Sequence, residues 1–372
     1  MGKRRFKKLG EGSFFGEHLY DRAVPAGHPL RQMDRVIDWE PFAERLLSLY
    51  RGGGGQMGRP PYDPAVMLKM FLLCSLYGMS HRRVEEYVND SLSAKCFLGL
   101  AVDEPAPDHT TLSVFKNRIV EQGGEQLMVE ILGEMIRQAV ERGIEFGSVQ
   151  VVDSTHTKAD VNTRKDDHRQ NKGGKGPRDG SARWGVKHTR KVRTEKGEVV
   201  KLPHYFYGFK MHLCLNALSE MITSLLVTHG AANDGKQLPH LVERDRVQGL
   251  PIEVYSADRG YDHGDNHYLL ERMGLKSAIL LNDYRTQKKD PNKGVWIALK
   301  ASAAYKQGQK ERYKVERKFG EAKQWHSLGR CRYVGWKGYM IQAYMTALAV
   351  NLKRMVKLLT GTPFRGQAPA AT

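Results

Sequence analysis

The chain has 372 residues, 40% hydrophobic and 27% charged, enough for two domains of ordinary globular composition. No apolar run approaches the ~20 residues of a membrane span. The basic start, Met1-Gly-Lys-Arg-Arg-Phe-Lys-Lys8, does not read as a signal peptide. Four scattered cysteines without a Cys-x-x-Cys pair suggest neither a zinc site nor a disulfide framework, which fits a reducing cytoplasm. The net charge is +18 and it is concentrated: Arg164–Lys201 is net +8 and Arg285–Lys337 net +11, against −1 for the remainder. Near-neutral scaffolding with two intensely basic stretches is the pattern of a polyanion binder, here nucleic acid.

Residues 1–25 are polar and glycine-containing, expected to order poorly without a partner. Met33, Val36, Ile37, Phe42, Leu46, Leu47 and Tyr50 fit one or two short helices, ended by a flexible joint at Gly52–Gly55. Pro64 suits the first turn of a buried helix running to Tyr77, Ser80 caps the next, and Asp108 opens another. With Gly124–Gly143 as a further helix, the first ~145 residues read as all-helical.

The period then changes. Gly147–Asp153 is a β-branched strand ending in a carboxylate. Asn162–Lys201 reads as a basic insertion without periodicity. His204–Asn216 and Met221–Thr228 form a hairpin around Ala217–Glu220. Asp234–Val247 is a helix capped by Asp234, Ile252–Ala257 a strand ending at Asp258, Asp265–Met273 a helix, and Lys276–Leu281 a fifth strand. A basic loop with Trp296 leads to an Arg312–Lys323 helix and a last apolar helix, Trp336–Leu359. The tail from Thr360 is Pro/Ala/Gly-rich.

These elements predict an α+β chain: a helical domain over residues 1–146, then a mixed sheet flanked by helices over 147–360, with an insertion at 162–202 and a flexible tail at 361–372. If the first strand and the strand ending at Asp258 are neighbours, Asp153 and Asp258 sit side by side at their C-terminal ends, where open α/β sheets usually place ligands. In the Arg312–Lys323 helix, Arg312, Glu316 and Lys323 project within roughly 40° of one another, beside the apolar Val315, Phe319 and Ala322. Glu311 and Glu321 point away by about 140° on the same geometry. Each residue also has a plainer reading: Asp153 as a turn cap, Asp258 as the partner of Arg259, and Arg312 and Lys323 as surface ion-pair partners.

At these residues the sequence resembles the bacterial insertion-sequence transposases with a ribonuclease H-like DDE core. The resemblance rests on Val151-Val-Asp153-Ser-Thr, Tyr207-Gly-Phe-Lys-Met-His212, Ser256-Ala-Asp258-Arg-Gly-Tyr261 and Arg312-x3-Glu316-x6-Lys323. The front half resembles the same family through Pro61-Tyr-Asp-Pro64, Leu76-Tyr-Gly-Met-Ser80, Phe97-Leu-Gly-Leu100 and Pro107-Asp-His-Thr-Thr111. One departure stands out: Gln309 occupies the place of the family's signature tyrosine, for which Tyr305 or Tyr313 could substitute.

The resemblance implies a ribonuclease H-like catalytic domain behind a helical region for DNA binding and dimerisation. Asp153, Asp258 and Glu316 would hold Mg²⁺, or Mn²⁺ in its place, as an oxygen-only, incompletely caging set. Arg312, Lys323, Lys210 and His212 would contact DNA. The implied partners are double-stranded element ends and target DNA, with no membrane and with a homodimer or higher multimer on the DNA, in a bacterial cytoplasm at the nucleoid. The alternatives are a related nuclease that cuts without joining strands, and a domesticated DNA-binding protein without catalysis.

Overall fold

The structure, a computed structural model, describes residues 6–7, 10, 14–50, 60–163, 176–193, 199–287, 290–362 and 364. The expected joint at Gly52–Gly55, residues 164–175 of the basic insertion and nearly all of the tail lie outside the described residues. The chain forms two compact units, Met1–Ile144 with Tyr344–Thr372, and Glu145–Ala343. The last helix, Trp336–Thr360, therefore contributes to both.

The first unit is helical, and its helix starts follow the local chemistry. Asp63 accepts from Ala65 N at 2.7 Å ahead of Pro64–Leu76, Ser80 accepts from Arg83 N at 3.2 Å ahead of His81–Asp90, and Asp108 accepts from Thr111 N at 2.7 Å ahead of His109–Arg118. Each cap satisfies an amide that the first turn leaves unpaired. The Pro64–Leu76 helix is buried all round. Its one cation, Lys69, reaches Asp34 at 2.6 Å and lies over the Trp39 ring, so the charge is not stranded.

The second unit is built on six strands: β1 (Val149–Lys158), β2 (Arg183–Arg193), β3 (Val199–Asn216), β4 (Ile222–His229), β5 (Val254–Ala257) and β6 (Lys276–Ile279). Their order is β2-β3-β1-β5-β6, with β4 also paired to β3. β1 and β4 run antiparallel to β3, whereas β1–β5 and β5–β6 are parallel. On one face the Leu238–Val247 and Gly264–Arg272 helices close a core of Val152, Leu226, Leu241, Tyr255, Tyr261 and Leu270.

Three expectations need correction. β2 lies inside the stretch read as aperiodic, so the sheet has six strands rather than five. Its described side chains are largely exposed, Trp184, Val186 and Lys187 among them, so it has no apolar/polar alternation to detect. The basic loop before Arg312 contains two helices, Lys293–Ala301 and Ala303–Glu311. The helix expected over Arg312–Lys323 begins at Tyr313 and runs to Trp325, with Arg312 as the joint between it and Ala303–Glu311. Glu311 consequently belongs to the earlier helix.

The joint is fixed from the sheet side. Ser256 Oγ donates to the Gly308 carbonyl at 2.8 Å, and a Cβ at Gly308 would stand 2.5 Å from the Ala278 Cβ, so only glycine lets this helix lie so low on β5 and β6. Gly308→Ala is expected to destabilise the protein by about 1–3 kcal/mol, as overpacking does. Gly320→Ala, with nothing within 4 Å of the added carbon in the Tyr313–Trp325 helix, should instead stabilise by about 0.5–1 kcal/mol. Urea unfolding midpoints of the two variants, moving in opposite directions, check both expectations.

Candidate active site

β1 is buried on both faces over Val149–Val152, and its parallel register with β5 sets Val152 opposite Ala257. Asp153 and Asp258, the next residues, thus emerge side by side; β5 ends there, whereas β1 runs on to Lys158 along β3, so Asp153 lies inside its strand and not at its end as expected. Asp153 accepts from Ser154 N at 2.7 Å and Asp258 from Gly260 N at 2.9 Å. Burial first, and then the charge of Asp258, push the Asp153 carboxyl up to about 7. Burial also raises Asp258, while Arg312 pulls both acids down.

A third acid stands close enough to act on both. Asp234, expected to cap a helix, makes no capping bond. It takes Lys210 Nζ at 2.8 Å, and its charge raises Asp153 and Asp258. Its loop is held against the turn after Asp258: Asn266 Nδ2 donates to the carbonyls of Gly235 and Tyr261, each at 2.9 Å. The Tyr261 hydroxyl, buried with no hydrogen-bond partner among the described residues, feels Asp153, Asp234 and Asp258 together. The order of the strands, which sequence reading left conditional, is what brings Asp234 here.

Arg312 turns toward the acids from the helix joint, with its Nε buried and without a hydrogen-bond partner among the described residues. Lys323 is half-buried; burial lowers its pKa, Lys187 lowers it further and Asp153 opposes. Glu316 is exposed, and among the described residues no group of three His, Cys, Asp or Glu side chains is gathered to hold a metal. Glu311 pairs with Lys314 at 2.5 Å, and Glu321 with Lys318 at 3.3 Å.

Two expected DNA contacts are otherwise engaged. His212 is 0% exposed and shares a hydrogen bond with Thr228 Oγ1 at 2.8 Å, so no phosphate can reach it in this conformation. Lys210 is committed to Asp234 and the Ala232 carbonyl. Gln309 donates to the carbonyls of Ala257 and Ala278, tying the helix to the ends of β5 and β6. Of the two tyrosines that could stand in for the signature residue, Tyr305 is buried and accepts from Leu281 N, whereas Tyr313 is 55% exposed.

Sequence reading also missed a cluster of cations. Lys158, Lys187, Lys323 and His204 all hold down the pKa of His156, which burial, the largest cause, and these charges lower to about 4. The signal available was charge spacing on β1 and β2, lost because β2 itself was not read as a strand.

The raised Asp153 carries a pH dependence. Its folded pKa of about 7 exceeds the unfolded value of roughly 3.9. The folded state therefore holds the extra proton between these values, and metal-free stability should fall as pH rises through that window. Asp153→Asn is expected to flatten this fall. Urea midpoints from pH 4 to 8 in EDTA test it; an identical slope in the variant would remove Asp153 as the cause.

The family of the chain follows from two domain matches. Residues 145–352 match the Transposase DDE domain family, and residues 18–118 match the Transposase domain (DUF772) family. Among solved structures, a piggyBac transposase synaptic complex with hairpin DNA is similar at 9% identity and TM-score 0.40, covering 95% of this chain and 78% of that one. A Mos1 strand transfer complex is similar at 11% identity and TM-score 0.20, covering 84% and 82%. Both likenesses are too distant to add to the argument. The family matches alone span both units and more than half of the residues, and by them this chain belongs to the DDE transposases.

Proposed function

We propose that the protein binds the ends of its insertion sequence, cleaves DNA there and joins the freed 3′-hydroxyls to target DNA. The observation that carries this reading is the β1–β5 register, which presents two carboxylates side by side with the Arg312 guanidinium facing them. The donor chemistry fits a hard divalent cation such as Mg²⁺ or Mn²⁺: two carboxylates with no ion-pair partner among the described residues, kept from full ionisation by burial and by each other. When bound, such ions would activate the attacking oxygen and stabilise the leaving 3′-oxygen. Asp153 and Asp258 would hold them.

The chain's own groups supply the rest. Arg312, with a free Nε beside the acids, is disposed to hold a non-bridging oxygen of the scissile phosphate, and Lys323 to hold a neighbouring one. Glu316 and Lys323 are seven residues apart on one helix, within about 20° of the same face. Since Lys323 senses Asp153, this supports Glu316 as the third acid, brought in by DNA from its exposed position. We assign the helical first unit to element-end recognition and to dimer contacts.

The test is cleavage and strand joining of duplexes carrying the DNA that flanks its own gene, in Mg²⁺ and in Mn²⁺. Asp153→Asn, Asp258→Asn and Glu316→Gln should each lose cleavage while DNA affinity stays near wild type, because affinity comes from cations elsewhere. Glu311→Gln and Glu321→Gln should reduce activity modestly at most. An active Glu316→Gln beside a dead Glu321→Gln would reassign the third acid. Cleavage without joining would make the protein a nuclease.

A further inference from the structure

The part of the second unit that the catalytic reading leaves unused is the outer half of β3. β1 pairs β3 from Gly208 to Asn216 and β4 pairs it from Phe209 to Leu215, while β2 pairs only the other half, Val199–Gly208. Beyond Gly208 the sheet therefore continues as a two-stranded ribbon of ten paired positions, about 30 Å long at ~3.3 Å per residue. A bare two-stranded ribbon is marginal in water. This one exposes large apolar groups as well: Trp184 at 50%, Tyr205 at 56%, and Val186, Val200 and Leu202. The Trp184 and Tyr207 rings pair across the strands at 5.4 Å.

The charge of this ribbon says what covers it. Arg183–Gly208 has seven Lys and Arg against two Glu, a net of +5 in 26 residues. At its root, Lys187 on β2 lies near Lys323 and His156, and Lys158 and His204 act on the same histidine. Lys158, Lys187 and Lys323 make no ion pair among the described residues. Cations gathered without counter-charges, continuous from Lys323 beside Asp153 to the ribbon, need an extended anion along that line. A second copy of a chain with net charge +18 would bring like charge to the same surface.

We propose that the β2–β3 ribbon is a DNA-docking arm, lying in a groove of the duplex that extends away from the carboxylate pair. A two-stranded ribbon fits the ~12 Å major groove. Lys187 and, at the root, Lys158 would lie along phosphates, with Trp184 and Tyr205 against the sugars and base edges. The inference rests on the proposed catalytic reading only for the direction of the DNA, since the arm's binding can be measured without any cleavage.

The experiment uses the full chain as Asp153→Asn, so that the duplex stays intact, and follows affinity for a labelled 40-base-pair duplex by anisotropy across 50–300 mM KCl. Lys187→Gln should lower the log–log salt slope by about 0.9, and Lys158→Gln/Lys187→Gln by about 1.8. Trp184→Ala/Tyr205→Ala should weaken binding about tenfold with the slope unchanged. Hydroxyl-radical footprints should shorten on one side for the double lysine variant. If the aromatic variant misfolds by circular dichroism, the exposed Lys187→Gln still decides. Unchanged slope and affinity in folded variants would overturn the arm. So would loss of dimers in DNA-free sedimentation with the slope intact, which would assign the ribbon to a second copy. A protein that never cleaves but shows these slope changes would fail the catalytic reading and keep this one.

Discussion

The second unit depends on one four-residue ladder, Val149–Val152 of β1 against Val254–Ala257 of β5. It is parallel, buried on both sides, and ends on both strands in an aspartate. Two carboxylates would not gather in a half-buried place for their own sake, because burial and mutual repulsion both oppose ionisation there. The apolar packing of Val152, Tyr255, Ala257 and Tyr261 holds them in place. Stability is spent at this edge to hold two carboxylates in one fixed place, which is what the proposed catalytic reading requires of a preorganised site.

The helices behind the sheet extend the same constraint. Ser256 and Gln309 bind the Ala303–Glu311 helix to β5 and β6 by donating to main-chain carbonyls, and Gly308 lets it approach. Arg312 joins this helix to the next with its own backbone still helical, φ −58° and ψ −34°, and its guanidinium acts on the acids while the following helix buries Val315, Phe319 and Ala322. Gln309 is thus a structural residue here, and the exposed Tyr313 is the aromatic left free on this edge.

The features legible in the sequence were those with a local cause: the helix starts at Pro64, Ser80 and Asp108, the apolar runs of β1 and β5, and the hairpin around Ala217–Glu220. β2 was hidden because periodicity reports a buried face and this strand has none. The close approach of Gly308 to Ala278 was hidden because it is a tertiary contact. Asp234 was taken for a cap because Asp before a helix usually is one, and nothing local reveals that Lys210 claims it. His212 alternates correctly with Lys210 along β3, but alternation cannot say which face the neighbouring helices cover.

The root of the ribbon has its own consequence. Gly185, Gly208 and Gly230 meet there as bare main chain: an added Cβ at Gly208 would fall on the Thr157 carbonyl, one at Gly185 on the Gly230 carbonyl, and one at Gly230 close to the Arg183 carbonyl. Beyond the buried Phe206, a strand pair with exposed side chains has little to stop it slipping by a residue. Three glycines that fit only one way, followed by the irregularity in pairing between Val186 and His188, supply that stop from below. The outer strands can then vary freely in side chain while their phase stays locked at the base, as a zip fastener is fixed by its lowest tooth.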